Sequence, residues 1–345
     1  MAEKNQKPPK KIINVALQGG GSHGAYTWGV LDALLADGRI SIEGLSGTSA
    51  GGLNATAVAQ GLVQNGNQGA RDMLRKLWER IGEEGKKSPI QIMPWDKATR
   101  NYSISKNPLF MMMRYMTTVM SPYQMNPNNN NPLRPIVEEL FDFEPLQQSK
   151  LVKLFLCATH LATGKLKIFS GQQLSIDALL ASACVPTLFQ AVEVNGEFFW
   201  DGGYIGNPAL FPLIYGCESP DLLVIQVHRV HDDKVPTSVH EIKNRLSEIS
   251  QNACLTREMR AIAFVTDLID KGIIAPGALK RLYMHQIRDD DFFGTLERDI
   301  GYIADPDFLE FMYDAGFKIG TKWLKENFDA IGVRTTANIE ADYLS

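Results

Sequence analysis

IINVALQGGGSHGAYTWGVLDALLADGRISIEGLSGTSAGGLNATAVAQGL, residues 12–62, is the stretch whose reading decides the fold. Ile12 to Leu17 is a short aliphatic run rich in β-branched residues, and the glycines after it end a strand. AYTWGVLDALLAD then places Tyr26, Val30, Leu31, Leu34 and Leu35 at helical spacing. Arg39 to Leu45 predicts a second short strand that runs into SGTSAGG, and Leu53 to Leu62, rich in Ala and Val, predicts a second helix. Strand, glycine loop, helix, strand, tight turn and helix is how a sheet covered on both faces begins. The expectation is a three-layer α/β/α fold with a mainly parallel central sheet.

Further along, Lys153 to Thr159 and Leu166 to Ser170 resume the sheet. SIDALLASACVP reads as a helix with Ser175 at its N-cap and Pro186 just past its end. VEV-NG-EFFW is a hairpin signal, because Asn195-Gly196 suits a type I′ turn, and it delivers the chain to Asp201-Gly202-Gly203. Leu222 to Val227 is another buried strand. The remainder is mostly helical, with an edge strand near Tyr283 to Ile287 and an amphipathic helix from Pro306 to about Trp323.

Residues from about 64 to 147 differ in character: a charged helix (Arg71 to Arg80), the run LFMMMRYMTTVM and the loop NPNNNNP. They predict a helical insertion or cap. Phe110, Met111, Met112, Met113, Met116 and Met120 offer either a polarizable surface for acyl chains or the ordinary core of a small helical layer. The domain plan is a disordered basic tail over 1–11, a catalytic domain over 12–230, and a mainly helical part over 231–345 packed on the same domain.

The chain of 345 residues is 44% hydrophobic, enough for a sizeable core. Its net charge of −4 supplies no global basic field, so nucleic acid is not an expected partner and any membrane contact is local and peripheral. MAEKNQKPPKK is not a Sec leader, and no stretch approaches the roughly 20 apolar residues of a spanning helix; the expected location is cytoplasmic. Cys157, Cys184, Cys217 and Cys254 form no CxxC pair and read as reduced thiols, without a structural zinc site. No cofactor or metal is implied.

Gly47-Thr48-Ser49-Ala50-Gly51 is a GxSxG pentapeptide at a strand-to-helix turn. There the motif has a physical meaning: the serine is held out on a strained elbow, and the following helix aims its positive end and the Ala50 amide at a developing oxyanion. Gly19-Gly20-Gly21-Ser22-His23-Gly24 lets backbone amides converge as an anion-holding nest. The same string also fits GxGxxG through Gly19, Gly21 and Gly24. A dinucleotide fold, however, wants an acid at the end of the second strand; Glu43 falls inside that strand, and its end carries Ser46 to Ser49.

A serine nucleophile needs a base. His160 follows a strand with no orienting acid nearby, and His23 shapes or closes the glycine loop. His228 and His231 form an HxxH that reads as a solvated loop or, less readily, a metal site. Asp201, in WDGG, is the carboxylate candidate, with turn capping as its other reading. From an ordinary pKa of about 3.9, burial beside Phe199 and Trp200 would have to raise its basicity.

Together GGGxxG (Gly19 to Gly24), GTSAG (Gly47 to Gly51), ASACVPTLF and DGG (Asp201 to Gly203) resemble the patatin-like phospholipase family over residues 12–230. The resemblance implies a Ser49–Asp201 dyad without histidine, an oxyanion held by the amides of Gly20 to Ser22 and of Ala50, and an acyl-enzyme resolved by water. The implied activity is that of a phospholipase A-type esterase on a lipid or other acyl ester. An acyltransferase, a polyester depolymerase and a non-catalytic lipid-binding regulator are the alternatives. His23 stands where many members of the family carry Arg or Lys, and the insertion has no equivalent in the family pattern.

Overall fold

In β1 (Lys11–Leu17) every second residue faces the same way, and both sides are buried. Ile13, Val15 and Leu17 join one hydrophobic cluster, and Ala16 joins another behind the sheet. A strand apolar on both faces belongs in the middle of a parallel sheet with helices on each side. The computed structural model, which describes residues 10–275 and 277–344, places β1 there.

The other strands are β2 (Ile40–Thr48), β3 (Lys153–His160), β4 (Leu166–Ser170), β5 (Val192–Val194), β6 (Glu197–Asp201), β7 (Asp221–Ile225) and β8 (Tyr283–Ile287). The sheet runs β5-β6-β3-β2-β1-β7-β8, with β4 also paired to β3. β3, β2, β1, β7 and β8 are mutually parallel, whereas β4 and β6 pair antiparallel with β3, and β5 with β6. The hairpin turns at Asn195 (φ 51°) and Gly196 (φ 82°), the positive pair that a type I′ turn requires.

The helices that position the site are α1 (Gly24–Asp37), α2 (Ala50–Gly85), α3 (Pro108–Val119), α4 (Val239–Asp270) and α5 (Pro306–Asn327). Tyr26, Val30, Leu31, Leu34 and Leu35 of α1 are all buried. α2 unites what the sequence separates into two helices: it kinks at Asn65 and Gly66, whose backbones are non-helical, and continues. Its second limb buries Leu74, Leu77 and Trp78 in the same cluster as β1, so residues after 64 share the main core. Of the Met-rich run, only Phe110 is fully buried, while Met111 and Met112 are exposed. Behind the sheet, Leu255, Met259 and Ile262 of α4 meet Leu222 and Val224 of β7. Cys157, Cys184 and Cys217 are buried and, like the half-buried Cys254, free thiols. No described helix is long and apolar enough to cross a membrane.

Glycines let α1 and α5 touch backbone to backbone. A Cβ on Gly29 would lie 2.1 Å from the Tyr313 carbonyl oxygen, and one on Gly316 would lie 2.0 Å from that of Tyr26. Neither obstacle is a side chain that can swing away. Gly29→Ala is therefore expected to lower unfolding stability by about 1–3 kcal/mol in urea titration, and an unchanged midpoint would refute this close packing.

Candidate active site

β2 stops at Thr48 because Ser49 leaves the strand conformation, with φ 56° and ψ −126°, before α2 begins at Ala50. Holding a non-glycine residue there costs on the order of 1–3 kcal/mol unless its surroundings fix it. Here they do: the Ser49 amide donates to both the carbonyl and the hydroxyl of Ser182, each at 3.1 Å. The chain just past DGG is tied beneath the elbow, since Thr48 donates to the Gly206 carbonyl and Ser46 to that of Ala209, both at 2.6 Å.

Register brings the carboxylate to the serine. Thr48 pairs with Cys157 on β3, and Asp201, the last residue of β6, pairs with the next residue, Ala158. Asp201 is 6% exposed. Its carboxylate accepts from the Gly203 amide at 2.7 Å and faces the Ser49 hydroxyl, and both favour its ionised form. Burial pushes its pKa up to about 6, and the Gly203 amide and Ser49 hydroxyl only partly offset the loss of water. Glycine is required on the other side of this carboxylate, because a Cβ on Gly202 would lie 2.3 Å from the Cys157 carbonyl oxygen.

The glycine loop presses on the elbow: a Cβ on Gly19 would lie 2.5 Å from the Thr48 carbonyl oxygen and 2.7 Å from the Ser49 Cβ. Its peptide is clamped on both sides. The Gly19 amide donates to Asn207 Oδ1 at 2.7 Å, and the Gly19 carbonyl accepts from His228 Nε2 at 2.8 Å. A carbonyl only accepts, so Nε2 carries the proton. A planar trans peptide then turns the Gly20 amide the opposite way, and no described residue accepts from it. The amides of His23 and Gly24 are bonded inside the loop, the first to the Gly20 carbonyl and the second to those of Gly21 and Ser22. The buried His23 ring packs edge-on against Phe293 and Phe308. The amides of Gly20, Gly21, Ser22 and Ala50, at the adjoining N-termini of α1 and α2, have no acceptor among the described residues.

Ser49, Asp201 and the glycine loop line one cleft of about 430 Å³, walled by Val185, Tyr204, Tyr302 and the α4 residues Leu246 and Gln251. No residue of α3 lines it.

His160 lies outside the cleft; its Nδ1 meets the Thr163 hydroxyl at 2.8 Å and its ring packs on Phe199. His228 is not the solvated loop residue expected from sequence but the clamp on Gly19. His231 turns away to Asp342 at 3.2 Å, so the HxxH pair does not converge. Among the described residues no group of three His, Cys, Asp or Glu is placed to hold a metal. Glu43 accepts from the Glu218 and Ser219 amides, at 2.7 and 2.8 Å, and is committed to that loop.

Four further residues of the site carry no signal in the sequence. Gln18 accepts from the Val227 and His228 amides, each at 2.9 Å, and donates to Asn252 Oδ1 at 2.8 Å. Asn207 donates to Gln251 Oε1 at 2.7 Å. These polar side chains tie α4 and the end of β7 to the glycine loop.

A mainly parallel sheet thus carries an elbow serine and a buried aspartate at its strand ends. The chain belongs to the patatin-like phospholipase family, whose profile matches residues 15–214, more than half its length. Among solved structures it is similar to VipD from Legionella pneumophila, at 15% identity and a TM-score of 0.37, over 92% of this chain and 72% of VipD. It is also similar to a chain of the ExoU–SpcU complex from the type III secretion system of Pseudomonas aeruginosa, at 19% identity and a TM-score of 0.31. That match covers 71% of this chain and 51% of the other, so it spans about half of that protein. No curated protein matches the chain by sequence.

Proposed function

We propose that the chain hydrolyses lipid acyl esters through a Ser49–Asp201 dyad and an acyl-enzyme. The observation that carries this reading is the placement of the Ser49 hydroxyl, in one cleft, against a buried carboxylate whose pKa lies at about 6. A carboxylate at its ordinary value is a poor acceptor of a serine proton; desolvation narrows that mismatch without a histidine. Asp201 takes the hydroxyl proton as Ser49 Oγ attacks the ester carbonyl, and the amides of Gly20 to Ser22 and of Ala50 receive the oxyanion. Collapse expels the alcohol, which takes the proton from Asp201. Water, deprotonated by the same carboxylate, then releases the fatty acid and restores Ser49.

We read residues 12–230 as the catalytic unit and 231–345 as its cover, with α4 as one wall of the cleft. The test is release of p-nitrophenol from a short-chain ester, and of fatty acid from mixed phospholipid vesicles, by the wild type and Ser49→Ala. Equal rates for the two folded proteins would sink the reading.

The base must be ionised, so kcat should rise with pH along a single ascending limb centred near 6 and level off above it. A pH–rate profile still climbing at pH 8, or one with its inflection near 4, would contradict the burial of Asp201 as the source of its basicity.

A further inference from the structure

α4 is anchored by one side only. Glu248 pairs with Arg229 and Arg245, Asn252 bonds Gln18 and the Arg229 carbonyl, and Leu255 and Met259 are buried. The opposite side carries Val239, Ile242, Leu246 and Ile249 at spacings of three and four, one stripe of a helix, and they are exposed by 72%, 42%, 62% and 52%. Phe264 continues the exposed apolar character of α4 at 63%.

The charges on α4 are sorted in the same way. Its exposed ionic residues between Val239 and Phe264 are Lys243, Arg257 and Arg260, with no carboxylate among them, although the chain as a whole is acidic. The acids are paired: Glu241 caps the helix start and pairs with Lys234, Glu248 holds the two arginines, Glu258 accepts from the Leu210 and Phe211 amides, and at the helix end the exposed Asp267 and Asp270 pair with Lys271 and Arg281. An apolar stripe whose exposed charges over residues 239–264 are all cations is complementary to an anionic lipid surface.

The stripe is continuous with the cleft. Leu246 belongs to both, and Tyr204 and Tyr302, exposed by 45% and 57%, complete an apolar mouth around Ser49. A long acyl chain drawn from a bilayer through water would expose every methylene on the way, so a mouth seated on the surface removes that barrier. We propose that this face of α4 docks on an anionic lipid surface and holds the mouth of the Ser49 cleft against it. The inference rests on the lipid-hydrolase reading for its orientation, but binding is measurable without turnover.

The test is flotation of the full Ser49→Ala chain with phosphatidylcholine vesicles, with and without about 30% phosphatidylglycerol. The parent should float with the anionic vesicles and be released at about 0.5 M salt. Ile242→Glu/Ile249→Glu should weaken binding about tenfold or more, and Arg257→Glu/Arg260→Glu should abolish the preference for anionic lipid. In the Ser49 background the same double variants should hydrolyse a water-soluble short-chain ester at the wild-type rate, which also establishes that they fold. Failure of the parent to float, or undiminished flotation of the variants, overturns the proposal. So does a vesicle-free dimer that becomes monomeric in Ile242→Glu/Ile249→Glu, because the stripe is then covered by a second copy. Flotation by a wild type that cannot cleave the soluble ester would leave the surface standing and refute the dyad instead.

Discussion

Asp201→Asn is expected to lower ester hydrolysis by about four orders of magnitude while making the protein more stable at neutral pH. The activity loss follows from removing the base: an amide oxygen accepts the Ser49 hydrogen bond but cannot take the proton. The stability gain follows from the pKa. A carboxyl at about 6 when folded and near 3.9 when unfolded binds its proton more tightly in the native state. Its contribution is therefore fully present below about pH 4 and is lost as pH rises through 6. At pH 7.5 the native protein holds an ionised, desolvated group at a cost of up to about 3 kcal/mol, which the neutral amide avoids. Thermal unfolding should accordingly show a higher Tm for Asp201→Asn at pH 7.5, and the difference should disappear near pH 4. Equal Tm values at both pH values would mean that Asp201 is better solvated than the cleft implies.

Gly19→Ala should be the most damaging conservative change in the glycine loop. Its Cβ would sit 2.5 Å from the Thr48 carbonyl oxygen, an obstacle made of backbone at the start of the elbow, so loop and elbow must part. A displacement of about 1 Å at reacting groups lowers rates roughly 100-fold, and an oxyanion donor drawn out of place contributes a further 10²–10³. kcat should fall by about those factors while KM changes little. Gly20→Ala is the comparison: its Cβ meets the Val227 Cγ2 methyl at 2.7 Å, a side chain that can shift, so the loss should be smaller. The reverse order of severity would contradict the placement of Gly19 against the elbow.

What could be read from the sequence was what the backbone demands. Gly19, Gly47, Gly51 and Gly202 stand where a Cβ would strike main chain, so the motifs declare the geometry they serve. Asp201 was legible because a hairpin with an unmistakable Asn-Gly turn ends on it. The clamps on the loop were not: Asn207 reaches Gly19 across 188 residues, His228 across 209, and Asn252 reaches Gln18 across 234. Nothing local distinguishes such side chains from surface polar residues. The helices at Leu53 to Leu62 and at Arg71 to Arg80 were each legible, but not that they join through a kink at Asn65 and Gly66. The methionines of α3 illustrate a related limit, because periodicity identifies a helix without saying which face another element covers. The stripe on α4 is the same problem seen from outside: its pattern is ordinary, and only the fold reveals that the apolar side is left exposed at the mouth of the cleft.

The most direct test of the central claim is covalent trapping. The folded wild type, Ser49→Ala and Asp201→Asn would be treated with an alkyl fluorophosphonate and the adduct located by peptide mass spectrometry. A single adduct on Ser49, absent from Ser49→Ala and formed far more slowly in Asp201→Asn, is the predicted result. Adduct on another residue, or equal labelling of wild type and Asp201→Asn, would contradict the assignment of Ser49 as nucleophile activated by Asp201.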